Sequence, residues 1–436
     1  MRARVFLSSL LLASAVAAAP AVKRQCSAPV PSSSSTVVPT TSTEAPIPTE
    51  TSSAPETSTT VDPGSTSAPE PSESTSAPTS TSTSTDPEPT ESPPPSGGGG
   101  GATPALAKHA LFGKTINLLL LQDVSDDWDV INLSFGEPDT PTSGNIQFEL
   151  CPVAECPNVE SEADFVAAID AKVAKGKLVQ LSIGGEKGQV RLETEAARDK
   201  FIESVSAICD RYHLTGLDVD FEGQSISLDA GDNDFTAPTT PVIVNLIAAL
   251  KALKAKYPHF TLTMAPETFF VQLGATFYGS GDFGGQDPRA GSFLPVIHAM
   301  RDDLTILHTQ NYNSGPINGL DGKAWVMGSS DFHVAMADLL LKGFNVGGKA
   351  DKPFPPLRPD QVGIGAPSSQ GAGNGFLEPT DVQAAVDCLT KGSSCGEYKP
   401  SATYPDMRGV MTWSINWDNF FDNAFSKSLG PYLHSS

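Results

Sequence analysis

Two periodicities alternate along the chain from residue 129 onward. Short runs rich in Val, Ile, Leu and Phe read as strands at 129–135, 178–185, 214–223, 260–267, 304–313, 362–368 and 408–418. Stretches with apolar residues three and four apart read as helices at 161–176, 195–212, 240–257, 329–344, 380–392 and 419–429. Ser161 is placed to cap the first of these helices, and Pro241 sits in the first turn of the third. An eighth strand is needed at the front, and "KHALFG" (108–113) is the one candidate. Strands and helices in alternation predict an α/β protein with a parallel sheet closed as a (β/α)8 barrel, the TIM barrel. An open doubly wound sheet is the alternative, but it calls for a Gly-rich loop after the first strand, and none is present.

One strand has an unusual pattern. In "LTGLDVDFEG" (214–223), Asp218, Asp220 and Glu222 share one face, and Leu217, Val219 and Phe221 share the other. Buried carboxylates are costly unless paired or neutralised, and this stretch holds no Lys or Arg. A chance acidic face on a half-exposed strand is the plain reading. A row of interacting carboxylates at the mouth of a site is the sharper one. In a barrel the site lies at the C-terminal strand ends. There the pattern places Gly184 and Gly185, Glu222, Glu267, then Gln310, Tyr312 and Asn313, and finally Trp413.

Composition divides the chain. Residues 1–19 read as a secretory signal, with Arg2 and Arg4 before a short apolar run, and Lys23-Arg24 offers a second processing point. That apolar run is too short to span a membrane, and no other candidate span is found, so no membrane partner is expected. Residues 25–101 are Ser, Thr and Pro ending in a glycine run. Such a stretch cannot bury a core and is expected to be a disordered, O-glycosylated spacer. Residues 102–436 have the length of one barrel. The net charge of −22 argues against a nucleic-acid partner. Six cysteines fit an oxidising compartment, with local disulfides expected at Cys151–Cys156 and Cys388–Cys395 and a buried free thiol at Cys209. No Cys/His cluster has zinc spacing, so neither metal nor cofactor is expected. A secreted monomer is the expectation.

These motifs resemble those of glycoside hydrolase family 18, the chitinases. The family pattern Asp-Gly-x-Asp-x-Asp-x-Glu is matched from Gly216 through Glu222, and Ser-x-Gly-Gly by Ser182 to Gly185. "MAPE" (264–267), "QNYN" (310–313) and Trp413 follow in the family's order. The resemblance covers roughly residues 108 to 430. It implies a chitinase that cuts internal β-1,4 N-acetylglucosamine linkages with retention, the substrate's own acetamido oxygen acting as nucleophile. It further implies Glu222 as the acid, Asp220 as the group that orients the acetamide, Asp218 as partner of Asp220, and Tyr312 as donor to the acetamido oxygen. Trp413 would floor the pocket, with Glu267, Gln310, Asn313 and Met264 as further substrate-binding candidates. An endo-β-N-acetylglucosaminidase on N-glycans and a non-hydrolytic chitin-binding protein are the alternatives. The chain departs from the family in two places. Thr215 replaces the first Asp, and strand one lacks the aromatic continuation that lines the cleft, so part of that strand is expected to be missing or rewritten. The short stretch between strands seven and eight leaves no room for an added α+β insertion and predicts an open groove.

Overall fold

A computed structural model describes residues 106–116, 119–279 and 287–435. The expected signal and spacer segments, and Cys26, lie outside the described residues. Eight parallel strands follow one another around a closed sheet: β1 Ala110–Thr115, β2 Val130–Pro138, β3 Leu178–Gly184, β4 Gly216–Asp220, β5 Thr261–Met264, β6 Ile306–Gln310, β7 Val362–Pro367 and β8 Gly409–Trp413. β1 pairs with both β2 and β8, which closes the barrel and removes every edge among these strands. The first strand is therefore complete despite its atypical sequence. Thr215, the other departure, lies at the opposite end of the barrel from the acids. Its hydroxyl accepts from the Val179 N–H at 2.9 Å and donates to the Val179 carbonyl at 3.0 Å, stitching β4 to β3.

The helices are α1 Glu162–Ala174, α2 Glu195–Tyr212, α3 Pro241–Lys256, α4 Leu294–Met300, α5 Ser330–Lys342, α6 Pro379–Lys391, α7 Ile415–Phe420 and α8 Ala424–His434. Ser161 caps α1 through the Asp164 N–H, and Pro241 opens α3, as their positions predict. Two elements differ from the expectation. The last strand stops at Trp413, because Ser414 turns the chain and caps α7 by accepting from the Trp417 N–H. The 419–429 pattern divides between α7 and α8 in consequence. α4 is a short helix that the sequence pattern does not show: five of its seven residues are fully buried, leaving no polar face to give a period.

Alternating strand residues divide the interior in two. Leu217, Val219, Leu262 and Met264 pack outward in the layer shared with the helices. Ala110, Phe112, Val130, Leu178, Ile306 and Met411 fill the barrel itself. Both expected disulfides are present, Cys151–Cys156 and Cys388–Cys395. Cys209 is a buried free thiol, and burial pushes its pKa up to about 12. Among the described residues no helix is long and apolar enough to cross a membrane.

Candidate active site

β4 carries Asp218 and Asp220 into the barrel, and Glu222 follows just past its end. Asp218 is the deepest and is fully buried. It accepts from the Ser182 hydroxyl at 2.7 Å and from the Thr263 hydroxyl at 2.7 Å, one on each neighbouring strand. His308 Nε2 lies 3.2 Å away, and the Lys114 ammonium 3.4 Å. Burial works against its charge, but Lys114, His308 and Thr263 outweigh it, and its pKa falls below the usual carboxylate range. Asp218 is thus a fixed anion whose acceptor sites are spoken for.

Asp220 pairs with the same lysine through its other neighbour, a contact between Lys114 Nζ and Asp220 Oδ2. Burial pushes its pKa up to about 7, and the nearby Glu222 and Asp218 charges add to the rise while Lys114 opposes it. Glu222 is half-buried, and burial raises it too, helped by Glu267 and Glu186. The three acids titrate as a set, so protons move among them in shared steps.

Gln310 at the end of β6 ties the set together. Its amide nitrogen donates to Asp220 Oδ1 at 2.9 Å, to Glu222 Oε1 at 2.8 Å and to the Ala265 carbonyl at 2.9 Å. This amide is committed to the protein's own carboxylates, so its place is to position them. Tyr312 is buried beside them, and burial with the Asp220 and Glu222 charges keeps its phenol protonated, hence a donor. Trp413 stacks on Phe135 from the end of β2, with ring centroids 5.7 Å apart and planes 14° from parallel. Phe135 thus supplies an aromatic wall that strand one does not. Glu267 is half-buried at the end of β5, and burial and Asp220 raise its pKa.

The glycines of "SIGG" have a steric reason. Gly184 has φ +112°, and a Cβ there would lie 2.2 Å from the Asp220 carbonyl oxygen. The Gly185 N–H donates to that same oxygen at 2.7 Å, and a Cβ on Gly185 would strike the Phe135 ring. The backbone of β3 therefore locks the Asp220 backbone in place.

Two substrate-binding expectations change. Met264 is fully buried and pairs in register with Val219, the outward-facing residue between the two aspartates. It packs in the layer between sheet and helices and cannot meet a ligand in the barrel mouth. Met264→Leu is expected to leave KM for a substrate oligomer within about twofold and to cost under about 1.5 kcal/mol in stability; steady-state kinetics and thermal unfolding check this. Asn313 is exposed with φ +50°, and its side-chain oxygen accepts from the Asn374 N–H at 2.8 Å. It holds the loop after β7 against the loop after β6.

Lys114 is the residue that the sequence did not reveal. It lies at the C-terminal end of β1, paired in register with Trp413, and is 1% exposed. Burial opposes its charge, and Asp220 and Asp218 more than restore it, so it stays an ammonium.

A barrel that carries a raised-pKa acid at a strand end, a coupled carboxylate beside it, a tyrosine donor and a stacked tryptophan defines a glycoside-cleaving site. No family model matches the chain. Comparison with known proteins finds 60% identity over 317 residues to a probable class II chitinase of Arthroderma benhamiae, covering 72% of this chain and 95% of that one. Exochitinase 1 of Streptomyces olivaceoviridis is 59% identical over 326 residues; the match covers 74% of this chain and spans 55% of the length of that relative. Among solved structures, a family 18 chitinase from Chromobacterium violaceum superposes with a TM-score of 0.67 at 38% identity, over 76% of this chain and 85% of that one. The chain belongs to glycoside hydrolase family 18, the chitinases.

Proposed function

We propose that this protein hydrolyses chitin at internal β-1,4 N-acetylglucosamine linkages, with retention and with the substrate's acetamido group as nucleophile. The observation that carries this reading is the arrangement of acids. Glu222 is the one member of the β4 row that is not fully buried, and its raised pKa suits a proton donor to the leaving oxygen. A carboxylate nucleophile in a retaining enzyme stands about 5–5.5 Å from the acid, across the sugar. Asp218 is consumed by its four neighbours. Asp220 precedes Glu222 by two residues on the same face, so it stands beside the acid and not across the sugar from it. Gln310 joins the two from one side. Asp220 and Tyr312 are an acceptor and a donor, the pair of groups that grips an amide from both ends. Trp413 and Phe135 offer flat faces for the apolar side of a sugar ring.

Secretion belongs to the same reading. The apolar leader, the spacer composition and two disulfides all suit an oxidising, extracellular setting. Recovery of the processed protein from culture medium tests it, and retention of the protein inside the cell contradicts it.

The test of substrate assistance uses matched soluble oligomers. N-acetylated chitin oligomers are expected to be cut, whereas oligomers with a free amine on the sugar before the cleaved bond resist, and cello-oligosaccharides are inert. Efficient cleavage of fully deacetylated chitosan would contradict the mechanism. The same digests decide the direction of attack. Between β7 and β8 the described chain carries only α6, with no added domain to wall the groove. First products of mixed length are expected, and release of one short product from an end alone would overturn internal cleavage.

A further inference from the structure

Beyond the pocket, one surface carries aromatic side chains that neither the core nor the acids use. α7 begins two residues after Trp413, at the same end of the barrel as Glu222. α7 and the residue that caps its end present Trp417, Phe420 and Phe421. Phe420 is 74% exposed and Phe421 44%, although each is a large apolar ring. The three rings touch one another: Trp417 and Phe421 lie at 6.3 Å with planes 25° apart, and Phe420 meets both at 6.0 and 5.2 Å edge-on. Scattered exposed apolar residues are common on protein surfaces, but a contiguous cluster of rings is a mark of an interaction site.

Three features hold this cluster in place. Asp418 is fully buried beneath it and accepts from the Phe425 N–H at 2.8 Å and the Ser426 N–H at 3.2 Å. The chain then turns through Asp422 and Asn423, both at φ +57°, a left-handed conformation that Asp and Asn adopt more readily than other non-glycine residues. Gly371, in the loop after β7, packs directly on the indole: a Cβ there would lie 2.8 Å from the Trp417 ring and clash with it. The capped turn and the close-packed loop fix Trp417 and leave Phe420 and Phe421 facing outward.

The cluster is also continuous with the pocket. The loop that passes under Trp417 goes on to Gly373, whose Cβ position is 3.4 Å from the Tyr312 ring. The Asn416 side chain meets the end of β1, accepting from the Ile116 N–H at 2.9 Å. Trp417, Tyr312 and Trp413 therefore border one rim.

We propose that Trp417, Phe420 and Phe421 form an accessory binding platform for the chitin chain, stacking on sugars that lie outside the catalytic pocket. This rests on the reading of the protein as a chitinase. The occupant follows from chemistry and place. A β-linked N-acetylglucosamine chain leaving the Trp413 pocket along this rim presents flat, apolar C–H faces, and aromatic rings are the groups that pack on them. The platform adds affinity for long or insoluble chains through a second contact on a molecule already held, and it adds nothing for an oligomer too short to reach it.

The test uses the full-length protein with F420A/F421A. Both positions are exposed, so folding is expected to be retained. In a Glu222→Gln background, which removes turnover, binding of the double variant to insoluble chitin is expected to weaken about tenfold. In the otherwise wild-type background, kcat/KM on a short soluble oligomer is expected to stay within about twofold. F420W, which keeps a ring, is expected to bind insoluble chitin at least as well as the parent. Unchanged chitin binding by the double variant overturns the proposal. So does an equal fall on the short oligomer, which reports a disturbed pocket. A wild-type dimer by analytical ultracentrifugation that the double variant dissociates also overturns it, by making the patch an interface between copies. Failure of the wild-type protein to cleave the short oligomer is a different result and counts against the chitinase reading itself.

Discussion

Glu222→Gln is expected to lower kcat on an N-acetylated chitin oligomer by about 10²–10⁴-fold or more, the share that general acid catalysis supplies. Binding of the same oligomer should survive. Glutamine keeps the shape of the side chain and can still meet the Gln310 amide, but it carries no transferable proton. Burial and the neighbouring acids raise Glu222, which lets it hold that proton under working conditions. The Trp413–Phe135 wall and Tyr312 do not depend on this charge. A variant with near wild-type turnover, measured with the oligomer saturating, would remove Glu222 from the role of acid.

The second large effect is expected at Lys114. Replacing it with methionine removes the ammonium that faces Asp218 and Asp220 in the barrel. Breaking a buried pair from one side costs about 3–5 kcal/mol, because the remaining charge is left without its partner. The sign of the pH effect follows from the groups around it. Lys114 lowers the proton affinity of Asp218, Asp220 and Glu222 alike. Without it, each carboxyl holds its proton to higher pH. The pH–rate profile is therefore expected to move upward as a whole, with the loss of rate greatest on the acid side. A merely structural role would lower the melting temperature and leave the profile in place. Thermal unfolding and kcat/KM across pH, run on the same preparation, separate the two.

Lys114 carries no mark of its place in the local sequence. In "LFGKTIN" a single lysine near a strand end is indistinguishable from one that faces water. Only closure of β1 onto β8 turns it inward, opposite the acids of a strand about a hundred residues away. The acids were legible because their two-residue spacing has one geometric solution, and the barrel was legible because its strands and helices alternate. Met264 could have been excluded from the same strand logic. In "TLTMAPE" it has the parity opposite to Thr263, which faces Asp218, and to Glu267. Gln310 read as a sugar contact because a lone amide at a strand end has that chemistry. What the sequence does not give is which acceptors reach it first, and these are Asp220 and Glu222. Ser414 carried the signal that ends β8, a cap residue before "INWD", but the apolar alternation across 408–418 masked it.

The acetamido group of the substrate, and no carboxylate of the protein, is expected to attack the anomeric carbon in a site whose acid is Glu222. Two readings on matched oligomers separate the possible nucleophiles: the anomeric configuration of the first product from an N-acetylated chitin oligomer, by proton NMR, and turnover of the same oligomer with a free amine on the sugar before the cleaved bond. An initial β-anomer from the first and no turnover of the second are expected. An initial α-anomer would mean direct attack by water, and comparable cleavage of the free-amine oligomer would mean a nucleophile supplied by the protein; either result contradicts acetamido attack.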